Sequence, residues 1–154
     1  MIISQTPVRI SFFGGGTDFY DFYSKNGGCV LSTAVNKYIY VILNRRFDRK
    51  IVLNYSKSEH HDSVYEIQHE IIREAMIKTG VTQAIDITIL SDIPSEGSGM
   101  GSSSSLTVGL LNALYKYQGI DASAEKLATE ACEIEITICK KPIGKQDQYI
   151  AAYG

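Results

Sequence analysis

Residues 8–13 form a short apolar run that ends in Gly14-Gly15-Gly16. Residues 38–43 are mostly β-branched or aromatic, and 51–55 have the same character, so all three segments predict strands. Phe47-Asp48-Arg49-Lys50 between the last two predicts a hairpin turn. Over 63–79, Val64, Ile67, Ile71 and Ala75 keep helical spacing, and Gly80 suits the position just past a helix end. Ile85, Ile87 and Ile89 alternate with polar residues, the pattern of a half-buried strand that Pro94 closes.

The second half is helical. Leu106, Leu110 and Leu114, with Leu111 beside them, predict a helix over 103–118 that stops at Gly119. Asp121 or Ser123 can cap the next helix, which carries Leu127, Ala131, Ile134 and Ile138 at helical spacing. Lys140-Lys141-Pro142 breaks it, with the lysines suiting the C-terminal dipole. These elements predict an α+β fold, a sheet of about four or five strands with helices mainly on one face. A chain of 154 residues gives one domain over 1–154.

Composition narrows the function. Lys and Arg number 15 against 17 Asp and Glu, a formal charge of −2, which argues against a general nucleic-acid binder. It leaves room for a phosphate site built from local donors. No apolar run approaches the ~18–20 residues of a membrane span. Residues 1–7 lack a basic region followed by an apolar stretch, so no signal peptide is expected. Cys29, Cys132 and Cys139 are odd in number and widely spaced, which fits a reduced, cytoplasmic chain. His60, His61 and His69 lack a nearby cysteine pair and so give a metal site at the histidines weak support, and 56–63 reads as a solvated loop.

The informative stretch is Gly97-Ser98-Gly99-Met100-Gly101-Ser102-Ser103-Ser104-Ser105, between a strand and a helix. Alternating glycines remove side chains that would block close backbone approach. The helix behind them offers free N–H groups, so the loop suits a phosphate. Hydroxyls at the helix start can donate to phosphate or ligate a divalent metal. A Walker A loop would end in Gly-Lys-Ser/Thr, and no lysine is present. A dinucleotide fold would need Gly-x-Gly-x-x-Gly, and the third glycine comes one residue early.

With Pro94-Ser95-Glu96 in front, this loop resembles the Pro-x-x-x-Gly-Leu-Gly-Ser-Ser-Ala motif of the GHMP kinases, the family of galactokinase, homoserine kinase and mevalonate kinase. Met100 stands for the usual Leu and Ser104 for the usual Ala. Pro7-Val8-Arg9-Ile10-Ser11-Phe12-Phe13-Gly14-Gly15-Gly16-Thr17-Asp18 is similar to the family's first motif, in the form of its heptose-phosphate kinase branch. Gly15-Gly16 replaces the Glu-His of galactokinase. Gly144-Lys145-Gln146-Asp147-Gln148 resembles the Gly-x-x-Asp-Gln segment of galactokinase-like members, and Glu135 lies twelve residues before Asp147.

The resemblance implies the family's N-terminal, ATP-binding domain, with a left-handed βαβ crossover, and a C-terminal domain outside this chain. It implies ATP and Mg²⁺ as cofactors and a sugar or sugar phosphate as substrate. Gly97, Ser98, Gly99, Met100, Gly101, Ser102, Ser103 and Ser104 would hold the triphosphate. Ser103 and Glu135 would hold the metal, with Glu133 as the alternative to Glu135. Asp147 would act as base, beside Arg9. Gly15, Gly16, Thr17 and Asp18 would bind the sugar. Physically, Asp18 has two readings, a hydroxyl-binding carboxylate or the cap of a following helix. Tyr20, Phe22 and Tyr23 follow the first motif, and Phe19-Tyr20 either walls the sugar pocket or packs. Arg45, Arg46, Arg49 and Lys50 read as a solvated tip or as a phosphate-binding group. A galactokinase-like or fucokinase-like enzyme, a non-catalytic sugar and ATP sensor, and an inactive fragment are the other functions this sequence allows.

Overall fold

The structure, a computed structural model, describes residues 1–94 and 98–154. Ser95, Glu96 and Gly97 lie outside the described residues, and with them the expected contribution of Gly97 to the phosphate loop.

The strands are β1 (Ile2–Phe13), β2 (Leu31–Arg45), β3 (Ile51–Asn54), β4 (Ser58–His61) and β5 (Ile85–Ser91). They form one mixed sheet in the order β1-β2-β5-β3-β4, in which only β3 and β5 run parallel. Both N-terminal strands are longer than their apolar runs suggested. β1 and β2 pair antiparallel from Ile2↔Leu43 to Phe13↔Leu31, with register shifts after Pro7 and after Ser11. A ladder this long carries polar residues such as Gln5 and Ser32, which lie outside the apolar runs.

Residues 46–50 do not close a hairpin. β5 lies between β2 and β3 and bonds to both, so the segment crosses the width of a strand. Its shape comes from Arg46, whose Nε and Nη2 each donate to Asp48 at 2.7 Å, and from Arg46 N donating to the Ala84 carbonyl at 3.0 Å. This tip lies roughly 35 Å along β2 from Ala34, the cross-strand partner of Arg9. That distance keeps these arginines away from Arg9 and its surroundings.

The helices are α1 (Tyr20–Asn26), α2 (Glu70–Thr79), α3 (Ser102–Tyr117), α4 (Ala124–Cys132) and α5 (Gln146–Tyr153). The helix expected over 63–79 is divided. Ser63 caps a short 3-10 turn, Val64–Glu66, in a capping box with Glu66. Gln68 N then donates to Glu59 Oε2 at 2.8 Å, which draws the chain out of helix before His69 caps α2. Glu59 also takes His61 Nε2 at 2.7 Å, so the His60-His61 stretch is strand β4 rather than a loop. Ser123, not Asp121, caps α4 by accepting from Lys126 N at 3.2 Å.

Helices α2 and α3 cover one face of the sheet. Leu43, Ile51, Leu53, Ile85 and Ile87 from the strands pack with Ile72, Met76, Leu110, Leu111 and Leu114, all removed from solvent. Each such side chain contributes about 1.5–3 kcal/mol by leaving water. Ser105 anchors the start of α3 on β1 through a 2.8 Å bond to the Pro7 carbonyl. Among the described residues no helix is long and apolar enough to cross a membrane.

Candidate active site

Helix α3 begins at Gly101, which holds a positive φ of 72°. A Cβ there would stand 3.0 Å from Asp147 Oδ2 and 3.4 Å from Arg9 Cγ. Glycine therefore meets two demands at once, a left-handed turn and room for a charged pair against the loop. Arg9, on β1, donates through Nε to Asp147 Oδ1 at 2.7 Å and through Nη2 to Oδ2 at 2.9 Å. Its Nη1 reaches the Gly99 carbonyl at 2.7 Å, and its backbone N donates to the Met100 carbonyl at 3.0 Å. One arginine thus joins the first strand, the glycine loop and α5. Burial pushes the Asp147 carboxyl above its ordinary value, and Arg9 pulls it back only in part.

A second cluster lies one turn into α3. Helix α4 runs on into a π-helical stretch, Glu133–Ile138, where Cys139 N bonds to the Ile134 carbonyl at 2.8 Å. On this stretch Glu135 points inward, 0% exposed. It accepts from Ser103 Oγ, from Ser104 Oγ at 2.7 Å and from Gln148 Nε2 at 2.7 Å. Lys141 Nζ stands 3.7 Å from its Oε1. Glu133, two residues earlier, faces out and pairs with Lys78 at 2.5 Å. The two glutamates are thus separated by direction, and only Glu135 lies with Ser103.

The remaining expected residues shape the loop that follows β1. Asp18 is buried. Its Oδ1 accepts from Gly16 N at 3.0 Å, and its Oδ2 from Gln146 N at 3.1 Å. Asp18 is therefore a cap, of α5 rather than of the helix that follows it. A side chain at Gly144 would overlap its carboxylate. The Thr17 hydroxyl lies 2.7 Å from the Gly14 carbonyl and 3.2 Å from Cys29 N. Gly15 and Gly16 are exposed, so their backbone is the open surface of this loop. Gln146 Oε1 accepts from Ser11 at 2.8 Å and from Ser32 at 3.0 Å, which holds α5 to β1 and β2.

Two hollows flank this centre. One of about 620 Å³ is lined by Tyr55, His69, Ile89, Ser102, Ser103 and Lys141, among others. Burial, reinforced by Lys141, holds His69 below the usual imidazole range and so neutral. The other, of about 510 Å³, is lined by Thr17, Asp18, Tyr23, Lys145, Gln146 and Tyr149, among others. Tyr23 packs edge-on against Tyr20, with ring centroids 5.6 Å apart, and carries Lys145 Nζ 4.0 Å above its ring.

Sequence reasoning missed Lys141, Gln146 and Gln148. Lys141 was masked by its place in a dipole-matching lysine pair. Gln148 carries a signal in the sequence, as the last residue of the Gly-x-x-Asp-Gln segment. Its Oε1 is buried and has no hydrogen-bond partner among the described residues.

Comparison with known proteins identifies the family and the fold. The family described as GHMP kinases N terminal domain matches residues 62–154. The chain belongs to that family. It is 32% identical to the D-glycero-alpha-D-manno-heptose 7-phosphate kinase of Campylobacter jejuni, over 99% of this chain and 48% of the relative. It is 37% identical over 70 residues to the mevalonate kinase of Methanothermobacter thermautotrophicus, 46% of this chain and 22% of that protein. The crystal structure of a D-glycero-D-manno-heptose 1-phosphate kinase from Bacteroides thetaiotaomicron superposes with a TM-score of 0.91 at 26% identity, over 100% of this chain and 54% of the other. A Lactococcus lactis galactokinase complexed with galactose shares the fold, with a TM-score of 0.81 at 20% identity, over 99% of this chain and 42% of the other. The chain spans about half the length of these heptose-phosphate kinases.

Proposed function

We propose that this chain carries the phosphoryl-transfer centre of an ATP-dependent sugar kinase whose acceptor is the 1-hydroxyl of D-glycero-D-manno-heptose 7-phosphate. The observation that carries the reading is the meeting of Arg9, Asp147 and Gly101 at the start of α3. It sets a carboxylate beside a loop and helix N-terminus suited to a triphosphate.

In this reading the backbone N–H groups at 98–104 and the start of α3 hold the phosphates. Asp147, its proton affinity raised by burial, takes the proton of the acceptor hydroxyl and aligns it for in-line attack. Arg9 holds the carboxylate in register and adds positive charge where negative charge develops. The exposed backbone of Gly15 and Gly16 meets the sugar, and Asp18 fixes that loop to α5. The base of the nucleotide lies in the 620 Å³ hollow, against Tyr55 and Leu106.

The residues around Ser103 fit Mg²⁺. The donors are hard oxygens, the Glu135 carboxylate and a serine hydroxyl. One carboxylate and one hydroxyl match an ion that keeps water and phosphate as its other ligands. Bound there, the ion would neutralise charge on the phosphate oxygens. The heptose acceptor is supported by the two relatives named as heptose-phosphate kinases and by the Gly14-Gly15-Gly16-Thr17-Asp18 form of the first motif.

The test is ADP release with ATP and a panel of acceptors. The heptose 7-phosphate should be turned over in preference to heptose 1-phosphate, galactose and mevalonate. Preference for an unphosphorylated sugar would overturn the acceptor assignment.

A further inference from the structure

Glu135 is fully buried, and the groups facing its carboxylate are three neutral donors and one cation. That cation is Lys141, whose Nζ lies 3.7 Å from Glu135 Oε1 and 3.0 Å from Ser103 Oγ. A carboxylate removed from water needs a counter-charge, and here Lys141 supplies it.

The ammonium stands beside the same two oxygens that the proposed metal would use. Mg²⁺ binds oxygen at about 2.0–2.1 Å. An ion at that distance from Ser103 Oγ lies within about 5 Å of an ammonium that is itself 3.0 Å from Ser103 Oγ and 3.7 Å from Glu135 Oε1. Two like charges cannot share that corner without strong repulsion. The side chain has somewhere to go, because Lys141 also lines the 620 Å³ hollow and is 30% exposed. Its main chain is pinned. Lys141 N donates to the Glu135 carbonyl at 2.9 Å, and its own carbonyl accepts from Ile143 N at 2.9 Å. The exchange is therefore a side-chain rotation and moves no loop.

We propose that Lys141 is the resident counter-ion of Glu135, that a divalent cation competes with it for that carboxylate, and that the displaced ammonium turns onto the phosphates of the nucleotide. The proposal rests on reading Ser103 and Glu135 as the metal-holding pair. It makes Lys141 a positioning residue that restrains metal binding until nucleotide arrives.

The test measures two affinities in opposite directions. Mn²⁺ is titrated into the chain without nucleotide, and a non-hydrolysable ATP analogue is titrated with Mg²⁺ present. Lys141→Met should bind Mn²⁺ roughly three- to tenfold more tightly and the analogue more weakly by a similar factor. Lys141→Arg should restore both toward the wild-type values. Unchanged or weaker Mn²⁺ binding by a folded Lys141→Met protein would overturn the proposal. Glu135→Gln separates the two failures. If it leaves Mn²⁺ affinity intact, the metal-pair reading falls. If it abolishes Mn²⁺ binding while Lys141→Met does not strengthen it, only the counter-ion proposal falls. Should Lys141→Met not fold, NMR of ¹³C-labelled lysine side chains in the wild type decides. Mg²⁺ alone should shift the Lys141 resonance, and no shift at saturating Mg²⁺ would contradict the exchange.

Discussion

The guanidinium of Arg9 lies against the carboxylate of Asp147, with Nε 2.7 Å from Oδ1 and Nη2 2.9 Å from Oδ2, although the two residues stand 138 apart in the chain. Side-chain exposures of 13% and 18% keep the pair mostly out of water. A pair in such surroundings adds little net stability. What it adds is geometry, a fixed carboxylate beside Gly101, and a tuned proton affinity.

That tuning has a sign that can be tested. Burial raises the Asp147 carboxyl, Arg9 lowers it, and the charges of Asp18 and Glu135 raise it. Arg9→Met removes the lowering influence and leaves the raising ones. The acidic limb of the kcat/KM profile should therefore move to higher pH. A limb that stays in place or moves down would show that another group sets it.

Gly101 makes a steric prediction. Gly101→Ala puts a Cβ 3.0 Å from Asp147 Oδ2 at a φ of 72°, so it should lower stability by about 1–2 kcal/mol and turnover more than tenfold. Gly119 is the control, with a φ of 78° and nothing within 4 Å of an added Cβ. Gly119→Ala should show the same thermal loss with turnover unchanged. Equal turnover losses in the two variants would remove the contact with Asp147 from the explanation.

The sequence made much of this site legible, and the exceptions have physical causes. The glycine loop, Arg9 and Asp147 are visible because each motif is contiguous. Helix α5 is not, because Lys145 at its start offers no side-chain cap and the cap comes from Asp18, 128 residues away from Gln146. Asp18 was correspondingly ambiguous, since its partner cannot be read locally. The false hairpin at 46–50 has the same origin, because the insertion of β5 between β2 and β3 is a tertiary fact. Glu133 and Glu135 differ in helix phase, which the sequence alone does not reveal, with the π-helical stretch carrying one glutamate out to Lys78 and the other in to Ser103.

The proposed metal role of Ser103 makes a prediction about nucleotide binding. Ser103→Ala should weaken binding of an ATP analogue in Mg²⁺ and leave it nearly unchanged in EDTA, as read by calorimetry. Equal affinities in Mg²⁺ for variant and wild type would remove Ser103 from the metal site.

Glu59 ties together Tyr55 and Gln68, two residues that line the 620 Å³ hollow. Burial alone would raise its carboxyl, but the Tyr55 hydroxyl, the Gln68 backbone N–H and His61 outweigh burial and hold it at about 2, against an ordinary 4.5. A carboxyl lowered on folding contributes stability that is fully present above the unfolded value and is lost as pH falls toward the folded one. Urea unfolding should therefore show Glu59→Gln less stable than wild type above about pH 4.5, with the gap narrowing toward about pH 2. A gap that widens on acidification would contradict the assignment.

Asp147→Asn tests the central claim most directly, through ADP release with ATP, Mg²⁺ and D-glycero-D-manno-heptose 7-phosphate alongside calorimetric ATP-analogue binding. The carboxamide keeps the size of the side chain and loses its proton affinity. Turnover should fall by about 10²–10⁴-fold, with analogue affinity within a few-fold of wild type. Turnover that survives the substitution would contradict the assignment of Asp147 as the base.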